Sequence, residues 1–422
     1  MNVFSRTGGR MSLLALALAL AAQLPTATAQ PPALNMNGQA ATITLKQVFE
    51  AAWARHPEAR AAGSRRDALE ARRDVAASWL AEPPSLEFAY KTDQLNRDQG
   101  SREYGAGLAM PLWLPGERAS LRTVVEAEST ALSSRLTATR LHMAGEVREA
   151  WWSLAMARID LEAAESRRQN AERLAADVAR RVTTGDLSRA DSHQADAAVA
   201  SAVGEVARAR GTLAEASQRL RSLTGLTAAG LAFETPEPEP NTAVEAMHPL
   251  LRETSDRVET ARRAKALAGV QSRANPELQL ATTSERASSG EDYSQTITLG
   301  MRIPFGSDSR QRVRMATASA DEIEAEAQLV VEGERIEAGI EAARLREEAA
   351  RARLAAAEQR AGLAGESRAF FEKSFRLGET DLPTRLRIEL EATEAEREAA
   401  RARVELAAAV SALRQAMGLL PE

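Results

Sequence analysis

The spacing of hydrophobic positions changes along the chain in one order, and it does so twice. Thr44–Leu80 carries apolar residues at helical intervals. PSLEFAYKT (84–92) and EYGAGLAMPLW (103–113) then alternate large apolar with small or polar residues. Helical spacing resumes at Glu117 and continues to Thr184, 68 residues without a proline, and again over Leu187–Leu223. The second series runs through 242–274, an alternating hairpin at 276–305, Ser307–Leu377 and Leu382–Met417. Periods near 3.6 and 2 predict a mainly α chain with two short β-hairpins.

A shift of 193 residues superimposes the two series. Pro111 falls on Pro304, Gly185 on Gly378, and LRSLTGL (220–226) on LRQAMGL (413–419); ARHPEARAA (54–62) matches AMHPLLRET (246–254) at 192. Self-similarity held over this span is the mark of duplication. We read 1–29 as a signal peptide, 30–234 as the first repeat, the Pro/Glu-rich 235–241 as a linker and 242–422 as the second repeat.

Within the long run, Met143, Val147, Ala150, Leu154, Ala157, Leu161 and Ala164 step by four and three, a coiled-coil seam. At about 1.5 Å per residue such a helix is roughly 100 Å long. The two shorter helices of each half, placed end to end, match the long one. Gly185 and Gly378 stand where left-handed caps end the long helices. Ser188 and Asp191 have capping-box spacing, and Asp381 precedes Pro383 as an N-cap should.

The strands predict two faces. Leu86, Phe88 and Tyr90, then Tyr104, Ala106, Leu108, Met110 and Leu112, fall on one side of the first hairpin. Leu278, Leu280, Tyr293, Ile297, Leu299, Met301 and Ile303 do so in the second. The three tyrosines of the chain lie near the hairpin loops, while Trp113 and Phe305 lie at the helix-joining ends. Ten-residue strands with one apolar face and aromatics at both rims suit a transmembrane barrel with a wet interior. Four strands cannot close a barrel, and lipid tolerates no open edge, so several chains must share one.

Composition narrows the classes. Arg6, Arg10, an apolar core over 11–22 and Ala27–Ala29 resemble an export signal. The absence of cysteine argues against lipid anchoring, disulfides and thiol chemistry. A net charge of −5 argues against nucleic acid. No phosphate loop, zinc-protease or serine-hydrolase motif is present. The four histidines lack partners at metal-ligand spacing. Neither catalytic residues, a cofactor nor a metal site is expected. A soluble periplasmic coiled-coil adaptor or scaffold is the alternative, though it would have no reason to place aromatics at two rims.

The repeated helix–hairpin–helix order, FEAAWARHPEARAA (49–62), PLWLPGER (111–118), RRVTTGDLSRAD (180–191) and FRLGETDLPTR (375–385) together resemble the TolC-type outer membrane factors, the outer membrane efflux protein family. PLWLPGER is also similar to the branch serving heavy-metal pumps of the resistance-nodulation-division class. The resemblance implies an outer-membrane homotrimer with four strands per subunit in a shared barrel above a long helical periplasmic tunnel. It implies a periplasmic adaptor and an inner-membrane pump as partners, meeting tips formed here by Gly185, Asp186, Asp191, Gly378, Asp381, Thr384 and Arg387. Asp191 occupies the family's acidic position in the first tip. Thr380, Thr384 and Arg387 stand where well-studied members carry Arg, Asp and Asp, so the same salt bridge and acidic ring cannot form here.

Overall fold

The computed structural model describes residues 43–95, 99–227, 231, 233, 236–240, 247–306 and 308–422. The segment read as a signal peptide lies outside the described residues, and the linker lies only partly within them. Eleven elements follow in order: α1 (Leu45–Arg55), α2 (Pro57–Ala77), β1 (Ser85–Thr92), β2 (Arg102–Pro111), α3 (Glu117–Thr184), α4 (Arg189–Thr224), α5 (Pro249–Val270), β3 (Glu277–Arg286), β4 (Ser294–Arg302), α6 (Asp308–Arg376) and α7 (Leu382–Ala416).

The helical stretch expected over 44–80 ends at Ala77 and is broken once, at His56. His56 ends α1 and begins α2, with φ −65° and ψ 134°. Pro57 disfavours a helical conformation at the residue before it and brings no amide to continue the ladder. The His56 ring stacks on Trp53 at 5.5 Å, and its Nδ1 accepts the Glu58 amide at 3.3 Å. His248 repeats this device before Pro249, its Nδ1 accepting the Leu250 amide at 3.3 Å. Helix α5 is accordingly shorter than the reading of 242–274: it starts at Pro249 and ends at Val270, and 242–246 lie outside the described residues.

The core lies midway along α3. Met143, Ala144, Val147, Ala150, Trp151 and Leu154 meet Leu45, Val48, Phe49 and Ala52 of α1 and Leu220 of α4. Trp151 and Phe49 are almost wholly buried, each contributing about 1.5–3 kcal/mol by removal from water. The seam read from the sequence passes through this cluster. Gly145 belongs here because a side chain at that position would meet the Gln415 amide at 3.1 Å, and Gln415 Nε2 donates to the Leu141 carbonyl at 2.7 Å.

The linker is not a free tether. Glu237 is buried between Arg148 of α3 and Arg414 of α7, tying the segment between the halves to one helix of each. Arg414 also donates to the Pro238 carbonyl at 3.0 Å.

Candidate functional site: a two-faced sheet and the helical tips

The four strands form one antiparallel sheet in the order β1-β2-β3-β4. Residues directly opposite in an antiparallel pair share a face. The register therefore sets Leu86, Leu108, Leu280 and Leu299 in one row, and Phe88, Ala106, Thr282 and Ile297 in the next. Met110, Leu278 and Met301 make another. All the large aliphatic side chains paired in this sheet lie on that side. The opposite face holds Glu87, Gly107, Ala281 and Thr298, then Ala89, Gly105, Thr283 and Thr296. Thr282 and Ser284 continue the apolar side of β3, so its oily stretch, Leu278 and Leu280, is shorter than those of its neighbours.

Phe88 is 80% exposed and Ile297 73%, with Leu86, Leu299 and Met301 also open; Leu108 and Met110 are half-buried by flanking side chains. Exposed apolar rows of this size on a continuous sheet call for an apolar surrounding. Among the described residues, the outer edges of β1 and β4 pair with no other strand.

Aromatics mark both ends. The Tyr90 and Tyr104 rings pack at a tilt with centres 5.0 Å apart, Tyr104 and Tyr293 at 6.0 Å, and the Arg286 guanidinium lies 5.2 Å from the Tyr293 ring centre. At the helix-joining end Phe305 is 94% exposed, whereas Trp113 is half-buried and donates its ring N–H to the Ser78 carbonyl at 3.2 Å. Trp79, which the sequence reading passed over, is 91% exposed beside that junction. Its signal was present: it follows the last helical turn of α2 just before Glu82-Pro83-Pro84.

The β2–α3 junction is closely bonded. Glu117 is buried at the start of α3, where Oε2 accepts the Leu114 amide at 3.1 Å and Oε1 accepts Gln271 Nε2 at 2.8 Å. One carboxylate thus joins the β2–α3 corner to the end of α5. The Leu112 amide donates to the Pro276 carbonyl at 2.7 Å, continuing the sheet's bonding into this corner.

At the far ends of the long helices, Gly185 and Gly378 adopt φ +86° and +77°, the left-handed caps expected. Asp186 accepts the Thr184 hydroxyl at 2.8 Å and is exposed. Asp191 closes a capping box: its Oδ2 accepts the Ser188 amide at 2.9 Å and hydroxyl at 2.7 Å. The Ser188 bonds hold its carboxyl below the usual carboxylate range. Asp381 caps α7 through backbone geometry without a side-chain bond. Thr384 is half-buried, Arg387 exposed, and the Thr380 hydroxyl lies 2.6 Å from that of Ser374.

The tips of the two halves touch. Phe375, Val178, Ala195 and Leu382 form a buried apolar cluster drawn from α3, α4, α6 and α7. Three of the chain's eight phenylalanines, Phe370, Phe371 and Phe375, fall within six residues just before Gly378. That concentration was the available signal for packing at this end.

Among the described residues, no group of three or more His, Asp or Glu could share a metal ion, and no helix is long and apolar enough to cross a membrane. The latter has no bearing on a β-barrel.

Comparison with known proteins agrees with this geometry. The family model of the outer membrane efflux proteins matches residues 48–226, from α1 to the end of α4. No curated protein sequence matches. The fold is that of solved outer-membrane channels. CusC, described in connection with folding and transmembrane channel formation, superposes with a TM-score of 0.74 at 14% identity, covering 89% of this chain and 92% of that one. The Campylobacter jejuni outer membrane channel CmeC gives 0.71 at 15%, covering 89% and 85%. The Vibrio cholerae outer membrane protein VceC gives 0.68 at 16%, covering 90% and 97%.

Proposed function

We propose that this chain is the outer-membrane channel subunit of a tripartite efflux system. In this reading it is a passive exit duct for metal ions or small toxic compounds, which an inner-membrane pump of the resistance-nodulation-division class delivers through a periplasmic adaptor. Three copies place their sheets edge to edge in a twelve-stranded barrel, and the duplicated helices of each copy line a tunnel in the periplasm. Phe88, Leu108, Met110, Ile297, Leu299 and Met301 face lipid. Tyr90, Tyr104 and Tyr293 form one interfacial girdle, and Trp113 and Phe305, joined by Trp79, form the other. Gly185, Asp186, Asp191, Gly378, Asp381, Thr384 and Arg387 make the tip that meets the adaptor.

One observation carries the reading: a four-stranded sheet with all its large aliphatic side chains on one exposed face and both edges unpaired among the described residues. In water that face and those edges are liabilities; in a shared membrane barrel both are satisfied. The test is to delete the gene and restore it in its host. Outer-membrane recovery of the chain, with loss and return of resistance to a metal panel or a drug panel, supports the duct and identifies its cargo class. Recovery in the soluble periplasm with unchanged sensitivities rejects it.

A further inference from the structure

The two helical turns are 193 residues apart in sequence, yet one side chain spans them. Arg181, in the last turn of α3, reaches the last turn of α6, where its Nη1 donates to the Phe375 carbonyl at 3.0 Å. Its guanidinium lies 4.7 Å from the centre of the Phe375 ring. The same carbonyl accepts the Gly378 amide at 3.2 Å. It sits at the negative end of the α6 dipole, where an incoming cation is favoured. The Arg181 carbonyl meanwhile accepts the Asp186 and Leu187 amides at 2.9 and 3.3 Å. Arg181 therefore braces its own turn with its backbone and the other turn with its side chain. Beneath it Phe375, Val178, Ala195 and Leu382 are nearly devoid of water contact.

A second tie lies further along α3. Asn170 Nδ2 donates to Glu389 Oε1 of α7 at 3.0 Å, and Glu389 also faces Arg385 at 3.5 Å and Arg368 at 4.0 Å. The arrangement is one-sided. At the 193-residue shift, Arg181 corresponds to Ser374 and Phe375 to Val182, so the mirror-image contact cannot form.

We infer that Arg181 on Phe375, reinforced by Asn170 on Glu389, is a latch holding the two hairpin tips of one chain together, and that the tips part only when it breaks. The consequence for flow rests on the duct reading; the latch itself is a contact within one chain. It supplies what Thr380, Thr384 and Arg387 cannot, a closed-state contact without an acidic ring.

The full chain, purified from outer membranes in detergent, is compared by hydrogen exchange as wild type, Arg181→Ala, Arg181→Lys and Asn170→Ala. Arg181→Ala is expected to speed exchange about tenfold or more at both turns, including 377–381, which the substitution does not touch. Arg181→Lys should fall between, because lysine keeps the charge but not the planar stack. In planar bilayers Arg181→Ala should raise mean conductance several-fold. Unchanged exchange at 377–381 in Arg181→Ala overturns the latch. If that variant assembles poorly, Phe375→Leu keeps the apolar burial and removes the ring, and faster exchange at 183–187 is then the expected sign; no change there likewise overturns it. Should exchange respond while no form conducts, the latch stands and the duct reading fails.

Discussion

Arg148 grips Glu237 through two parallel hydrogen bonds of 2.9 and 2.7 Å, at a place where neither side chain sees water. Arg148 lies on α3, and Glu237 belongs to the segment joining the two halves. Arg414 of α7 approaches the same carboxylate at 3.4 Å, and Arg148 also donates to the Leu419 carbonyl at 3.0 Å. Glu237→Ala leaves two buried guanidinium groups without their shared anion, and loss of such a partner costs about 3–5 kcal/mol. Glu237→Gln, which keeps the shape, should cost less. Thermal unfolding of both variants against wild type checks the order.

His248 gives the fold a predictable pH response. Burial lowers its pKa below the ordinary histidine value, against the opposing pull of Glu332 and the Ala416 backbone. A lowered value in the folded state means the unfolded chain binds the proton first. The stability is therefore complete above the unfolded pKa, near 6.5, and is lost as pH falls through the folded one. Protonation also removes the acceptor that Nδ1 offers to the Leu250 amide. The protection factor of that amide, taken against the base-catalysed intrinsic rate, should fall as pH is lowered below about 6.5, and His248→Asn, which keeps a capping acceptor, should flatten the dependence. An unchanged pH profile in that variant would count against it.

The two exposed and buried tryptophans should behave oppositely. Trp151→Ala opens the core against Phe49 and Leu154 and should cost about 3–5 kcal/mol. Trp79 contributes almost nothing to packing, so Trp79→Ala should change stability by no more than about 0.5 kcal/mol. Of the five tryptophans, Trp79 should be the one quenched most by brominated lipid.

Ser188 and Asp191 form a reciprocal cap at the start of α4. Ser188→Ala should cost about 1 kcal/mol, visible as faster exchange over the first turn. If Asp191 acts only as a cap, Asp191→Ala should match that loss and leave conductance unchanged; a rise in conductance would give Asp191 a part in closure as well.

Much of this was legible locally. Gly185, Ser188 and Pro383 punctuate helices through their own backbone preferences, and alternation alone placed Phe88, Leu108, Ile297 and Leu299 on the face where the register sets them. The break at His56 was missed because Pro57 is compatible with a first helical turn and the flanking Ala/Arg pattern continues across it. The Glu237 clamp and the Arg181–Phe375 contact were not readable. Each joins residues far apart in sequence, and no local spacing distinguishes those arginines from the many solvated ones on the helices. Trp79 escaped because it lies outside both periodic patterns.

The central claim is that the apolar side of the sheet meets lipid and that neighbouring copies complete one another's barrel. The direct measurement is the mass of the detergent-extracted mature chain by native mass spectrometry, with and without lipid. A lipid-retaining trimer that Ile297→Glu breaks into single chains is the predicted result. A monomer that stays in solution without detergent and retains no lipid would contradict the account.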